Sequence, residues 1–228
     1  MCGRTSLYRD PVDIEDAFDA AIAFDYRPRY NIAPRDDRAV ITADDDDTIT
    51  AKEWGLVASW ADDPDDGHRP INARAETVAE KSMFAEAFSD RRCLVLADGF
   101  YEWQAPARGP KQPYRIHRGN EPFAFAGIWN RFQTNGAALD TVAIITTAAN
   151  DVVEPIHDRM PVILEPGIER EWLHADANDA RALLEPYRGN DLETYPISTR
   201  VNDPSFDDPA VLDEASVGEQ SGLGDFAG

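Results

Sequence analysis

The sequence predicts an α+β protein, a single domain with a β-rich, barrel-like core of mixed and antiparallel strands flanked by short helices. Three observations carry that prediction. Short β-type runs fill the middle of the chain, helical patterns are few and lie to either side of them, and neither a repeat nor a linker interrupts the chain before residue 200.

Residues 11–24 predict an amphipathic helix. Pro11 suits its first turn, Asp13, Glu15 and Asp16 favour its positive end, and Ile14, Phe18, Ala21 and Ile22 share a face. Residues 38–43 and 48–57 read as two strands joined by the run Asp44 to Asp47, whose mutual repulsion keeps that tip in water. A second helix is expected from about 76 to 88, with Val78, Met83, Phe84 and Phe88 as its apolar stripe. Strands follow at Cys93 to Ala97, Phe100 to Trp103, Tyr114 to His117, Phe123 to Trp129 and Thr141 to Thr147. Gly99, the stretch from Pro106 to Pro113 and Asn135-Gly136 punctuate them. Short helices are expected around 167–174 and 178–186. From 204 the chain turns to Asp, Ser, Gly and Pro, so residues 1–203 read as the domain and 204–228 as an acidic, mostly disordered tail.

With 43% hydrophobic and 10% aromatic residues, the 228-residue chain can fill a core, which excludes wholesale disorder. No apolar run approaches the roughly 20 residues a membrane span needs, and the start, MCGRTSLYRD, has no signal-peptide core. The expectation is a cytoplasmic protein. Acids outnumber bases 43 to 22, for a net charge of -21, and only Lys52, Lys81 and Lys111 among the bases are lysines. Such self-repulsion is tolerable where salt screens it, so the charge reads as adaptation to a salt-rich cytoplasm, with an acidic interaction surface as the rival. It does not exclude nucleic acid, since a basic groove can sit on an acidic body. Cys2 and Cys93 leave no room for a disulfide framework, and neither stands at metal-ligand spacing from a histidine.

Four positions invite a chemical reading, each with a plain alternative. If Met1 is excised, Cys2 presents an α-amine with pKa of about 7.7–8.0 beside a thiol near 8.5. That aminothiol can trap an aldehyde first as a Schiff base and then as a thiazolidine ring; alternatively its position is incidental. His157, before the apolar run Val162-Ile163-Leu164, could shuttle protons or be a satisfied structural histidine. Glu102 lies in an aromatic strand, where burial would raise its pKa, unless alternation turns it outward. In Asn72-Ala73-Arg74-Ala75-Glu76, Asn72 could bind an oxygen and Arg74 a phosphate, or the segment could simply begin the second helix. His68 and His174 sit in acidic, loop-like surroundings and read as solvated; Trp54 and Trp129 read as core.

Taken in order, the motifs form a series. They are MCGR at the start, Asn31-Ile32-Ala33-Pro34, Trp54-Gly55-Leu56 with Ser59-Trp60, Asn72 to Glu76, and Asp98-Gly99-Phe100-Tyr101-Glu102-Trp103. Phe125 to Trp129, Thr146 to Asn150 and His157-Asp158-Arg159-Met160-Pro161 complete it. Over residues 2 to 203 the chain closely resembles the SRAP family, the SOS-response-associated peptidases understood as abasic-site shielding proteins. The acidic loop Asp62 to Asp66 and Arg35-Asp36-Asp37 depart from its pattern.

The resemblance implies crosslinking to abasic sites in single-stranded DNA through a thiazolidine at Cys2 after loss of Met1. It assigns Glu102 to acid and base catalysis, His157 to proton transfer at the sugar oxygen and in crosslink reversal, and Asn72 to holding cysteine and sugar. Arg4, Arg74 and Arg159 lie inside the matched motifs and are candidate phosphate ligands. Asn31, Pro34 and Trp60 could line the same groove, with Trp60 or Phe84 stacking on bases. No cofactor or metal is implied. The expected partner is abasic single-stranded DNA, especially at single-strand/duplex junctions, met by a monomer with weak lyase side activity. The rival readings are a thiol peptidase using Cys2, His157 and Asn72, and a non-catalytic adaptor.

Overall fold

The computed structural model describes residues 2–64, 69–105, 109–133 and 138–216. In chain order, strand β1 (Thr5–Leu7), helix α1 (Pro11–Phe18), β2 (Ala21–Ile22), β3 (Arg29–Ile32), β4 (Asp37–Thr42) and β5 (Asp45–Trp54) come first. Next are β6 (Asn72–Arg74), α2 (Ala85–Asp90), β7 (Arg92–Ala97), β8 (Gly99–Gln104) and β9 (Gln112–His117). The long strands β10 (Phe123–Gln133) and β11 (Ala138–Ala148) precede β12 (Arg159–Pro161), α3 (Glu169–His174), α4 (Ala177–Ala182) and β13 (Glu193–Pro196).

These strands build a closed core and an antiparallel sheet beside it. β11, β10, β7, β4 and β5 pair in that order, and β5 returns to pair parallel with β11 at Thr141↔Glu53 and Val142↔Trp54, closing a five-stranded mixed barrel. Closure removes the sheet edges that would otherwise expose unpaired backbone. The expected α+β architecture with a β-rich, barrel-like core is therefore the one observed. Val40, Val95, Phe125 and Ile144 are fully buried in it. Packing is tight enough that a Cβ on Gly127 would lie 2.6 Å from Val95 Cγ2 and 2.9 Å from Cys93 Sγ, so β10 needs glycine there. The second sheet runs β13-β9-β8-β1-β3, all antiparallel.

Three helical expectations are shortened, that around 178–186 ending at Ala182. Helix α1 stops at Phe18, because Asp19 adopts a left-handed conformation (φ 49°) and the chain then joins β5 as a parallel strand, Ala21↔Thr48 and Ile22↔Ile49. Tertiary pairing outweighs helical continuation, and aspartate tolerates that backbone better than most residues. In the region from 76 to 88, turns closed by Lys81 N–H to Thr77 O (3.0 Å) and Phe84 N–H to Lys81 O (2.8 Å) precede α2, which begins only at Ala85. The apolar spacing is satisfied by successive turns, with Val78, Phe84 and Phe88 buried.

The aspartate run is not a free tip. Thr42 pairs with Asp45 across the turn, so β5 already includes Asp45 to Asp47, and Asp46 accepts a hydrogen bond from His174 (2.8 Å) and an ion pair from Arg170, both on α3. His174 is thereby engaged rather than simply solvated. His68, the Asn135-Gly136 pair and residues 217–228 lie outside the described residues. Between 204 and 216, Asp207 accepts from the backbone N–H of Tyr30 (2.6 Å) and Asn31 (2.8 Å), and Val211 is buried.

Candidate functional site

Two features of sheet topology bring the motifs together. The first is the pairing of β1 with β8. Thr5 pairs with Phe100 and Ser6 with Gly99, and Tyr101 N–H donates to Arg4 O (3.0 Å), so the register carries the start of the chain alongside Glu102. The second is a split in the barrel wall. β10 and β11 pair from Gly127↔Ile144 to Gln133↔Ala138, then part, and the segment from 159 to 163 enters between them. There Thr147 pairs with Met160, Val162 N–H donates to Ile145 O, and Ala126 N–H donates to Val162 O. β6 lies parallel along β11, Ile144↔Asn72 to Thr146↔Arg74, so the Asn72 and His157 motifs both reach the end of β11.

Cys2 is fully buried, its Sγ 4.0 Å from Arg4 O. Burial pushes its thiol up to about 12, and the Glu102 carboxylate adds to the rise. The Arg38 guanidinium and the positive amino terminus pull it back. Glu102 is only 2% exposed, so the strand turns it inward. Its carboxyl is raised above the ordinary glutamate range, chiefly by burial, against the opposing pull of the amino-terminal charge and of His157. A carboxyl held this way retains a proton to higher pH than a solvated one, which suits a general acid.

His157 is held on a turn in which Asn150 Oδ1 accepts from Val153 N–H (3.1 Å) and His157 N–H reaches Val153 O (2.9 Å). Its Nδ1 stands 3.0 Å from both Arg159 N and Asp158 Oδ1. The ring is a quarter exposed and acts electrostatically on Glu102. Asn72, half-buried on β6, has an amide whose Oδ1 and Nδ2 are both shielded from water without a hydrogen-bond partner. Buried polar atoms are rarely left so unless a ligand satisfies them.

The candidate DNA ligands divide by exposure. Arg74 and Pro34 are exposed, and Trp60, 65% exposed, is one of two large apolar side chains in solvent among the described residues. The Arg159 side chain is 16% exposed and donates to Glu76 Oε2 (3.0 Å) and Thr146 O (2.7 Å). Arg4 and Asn31 are interior. Arg4 Nη1 donates to Asn31 Oδ1 and to Val201 O, both at 2.9 Å, and Asn31 Nδ2 reaches Asp203 O and Phe206 O. Phe84 is in the core, 7% exposed, because the turns before α2 direct it inward, so it offers no open face for stacking. Trp54 and Trp129 are buried, as their sequence context suggested.

Arg38 was not legible as part of the site. It stands at the head of the apolar run Ala39-Val40-Ile41, where an arginine inside a strand that must be buried is the available signal. Gln104 was also missed; its Nε2 donates to Pro155 O (2.8 Å), tying the Glu102 strand to the His157 loop. Among the described residues no group of three or more His, Cys, Asp or Glu could hold a metal ion, and no helix is long and apolar enough to cross a membrane.

A small mixed barrel with a fully buried cysteine at position 2, within the electrostatic reach of a buried glutamate on the neighbouring strand, defines the class of protein. The chain belongs to the SOS response associated peptidase (SRAP) family, which its residues 1–204 match. It is 39% identical over 222 residues to the abasic site processing protein YoqW of Bacillus subtilis, covering 93% of this chain and 99% of that one. It is 30% identical over 264 residues to the abasic site processing protein HMCES of Xenopus tropicalis, covering 93% and 78%. A crystal structure of a protein from Bacteroides thetaiotaomicron superposes with a TM-score of 0.85 at 26% identity, covering 94% of this chain and all of that one.

Proposed function

We propose that this protein captures abasic sites in single-stranded DNA by forming a covalent DNA–protein crosslink through Cys2. The observation that carries the reading is the burial of Cys2 beside Glu102, whose carboxyl is itself under the influence of His157. An aldehyde is the electrophile that suits a 1,2-aminothiol, and an abasic sugar supplies one when its hemiacetal opens. Loss of Met1 exposes the Cys2 amine. Glu102 gives a proton to the ring oxygen as the sugar opens and its carboxylate takes back the proton of the C1′ hydroxyl; after the amine adds to the aldehyde, it gives that proton to the hydroxyl that leaves as water, and recovers one from nitrogen as the carbinolamine becomes an imine. The Cys2 sulfur then attacks the imine carbon. A C–S bond forms, the C=N electron pair moves to nitrogen, and the thiol proton ends on that nitrogen, with no leaving group and no redox change.

The imine also acidifies the neighbouring C2′ proton, so β-elimination with strand cleavage competes with ring closure and accounts for a weak lyase activity. His157 exchanges protons with the sugar oxygen and assists reversal, and the unpartnered Asn72 amide holds the sugar or the cysteine. Arg74, Arg159, Trp60 and Pro34 supply the phosphate and stacking contacts that a lesion without a base requires. The net charge of -21 suits a salt-rich cytoplasm, where electrostatic capture contributes little, so covalent trapping supplies the retention and undamaged strands bind poorly. The protein acts as a monomer that meets the lesion at single-strand/duplex junctions.

The test uses an oligonucleotide carrying one abasic site, incubated in molar KCl with wild type and Cys2→Ala after intact mass confirms loss of Met1. A slow-migrating adduct on a denaturing gel with wild type alone supports the reading. No adduct from folded, processed protein overturns it and brings thiol peptidase chemistry forward.

A further inference from the structure

Arg38 is fully buried, yet its charge is poorly answered. Its Nη1 donates to Thr5 Oγ1, Nη2 donates to Leu96 O (3.0 Å), Nε is buried without a partner, and its guanidinium lies 5.1 Å from the centre of the Trp54 ring. The other deeply buried cations are better served. Lys52 has Asp140 at 3.1 Å, Arg115 has Asp98 at 3.5 Å, and Arg92 donates to five backbone carbonyls, among them Trp172 O and Phe88 O. A buried charge without a counter-ion is costly, so an anionic partner that forms during function accounts for its retention.

We infer that Arg38 is the electrostatic partner of the Cys2 sulfur and stabilises the thiolate that closes the ring. The inference rests on the crosslinking reading for its consequence, but not for the pairing itself. Among the charges acting on Arg38, Cys2 is the strongest, ahead of Asp98 and Asp36, with Arg29 opposing. The groups acting on Cys2 are Glu102, which disfavours the thiolate, and Arg38 and the amino terminus, which favour it, with the Arg4 carbonyl in contact. The two charged side chains therefore have separate tasks. Protonated Glu102 serves imine formation and no longer repels the sulfur, while Arg38 holds the anion that attacks. Arg38 touches no reacting carbon and is a positioning residue. Its Nη1 contact with Thr5, three residues beyond Cys2, also anchors the segment that carries the nucleophile.

Wild type alone provides the first test. Cys2 and Cys93 are both fully buried, and among the described residues Lys52 is the cationic influence on Cys93. With isotope-labelled cysteine and no DNA, Cβ shifts followed from neutral into alkaline pH should show Cys2 ionising before Cys93, despite Glu102. The reverse order would overturn the pairing. The second test measures the ratio of stable adduct to nicked strand with abasic oligonucleotide. Arg38→Met should lower that ratio about tenfold near neutral pH, the effect of one pKa unit on thiolate population, a deficit that stays constant until pH approaches the raised value of the thiol. Arg38→Lys should recover most of it. A proportional fall in both products would make Arg38 merely structural and overturn the inference. If wild type gives neither product, the crosslinking reading fails, while the order of cysteine ionisation still decides the pairing.

Discussion

After burial itself, the Glu102 carboxylate is the largest influence on the Cys2 thiol, and it opposes ionisation. A nucleophile and an acid placed together in this way cannot both be charged at low cost, so the proton on Glu102 and the proton on Cys2 are linked. Glu102 is itself raised by burial, so protonating it costs less than protonating a solvated glutamate.

Glu102→Gln therefore separates catalysis from stability. Crosslinking should fall by about 10²–10⁴, the usual contribution of a positioned general acid. Because the folded carboxyl is raised, the stability it confers is fully present below the ordinary glutamate range and is lost as pH rises through the folded value. Glutamine has no such loss. Thermal melts should show the variant gaining on wild type as pH increases, and parallel pH curves would count against the buried-carboxyl assignment.

Cys2→Ser keeps the amine and removes the sulfur, so imine chemistry should survive without ring closure. The expected outcome is adduct seen only after borohydride reduction, accompanied by more strand nicking than wild type. Cys2→Ala should behave alike. A borohydride-independent adduct from either variant would place the stable bond elsewhere.

Asn72→Ala removes an amide that has no partner to lose. Its stability should stay within about 1 kcal/mol of wild type, since the deleted polar atoms are unsatisfied in the fold. Crosslinking yield should drop nonetheless. A large loss of Tm with normal crosslinking would identify Asn72 as a structural residue.

Barrel strands such as β7 and β10 were legible because both announce themselves as continuous apolar runs. The two- and three-residue strands β2, β6 and β12 were not, since no periodicity can be read from so few residues and their pairing is set by distant partners such as Ile49, Ile144 and Thr147. In the candidate site, the motif series drew attention to Cys2, Asn72, Glu102 and His157. What it could not separate was inside from outside. The motif reading groups Arg4 with exposed Arg74, Asn31 with exposed Pro34 and Phe84 with exposed Trp60, but long-range hydrogen bonds to residues 201–206 and the turns before α2 take the first of each pair into the interior.

That division predicts opposite phenotypes for two arginines in different motifs. Arg4 satisfies Asn31 Oδ1 and Val201 O and belongs to the segment whose carbonyl contacts Cys2. Its replacement by alanine strands those acceptors and should cost about 1–3 kcal/mol of stability, with crosslinking lost in proportion to the disturbed Cys2. Arg74 is exposed on β6, so Arg74→Ala should alter stability by no more than about 0.5 kcal/mol. If it binds phosphate, its loss lowers the slope of log affinity against log salt by about 0.7 for a single strand. Melting curves and salt titrations of the two variants, measured on the same preparations, should therefore show stability moving with Arg4 and salt dependence moving with Arg74. A salt slope that changes with Arg4 at unaltered Tm would bring that guanidinium out of the interior and into the DNA path.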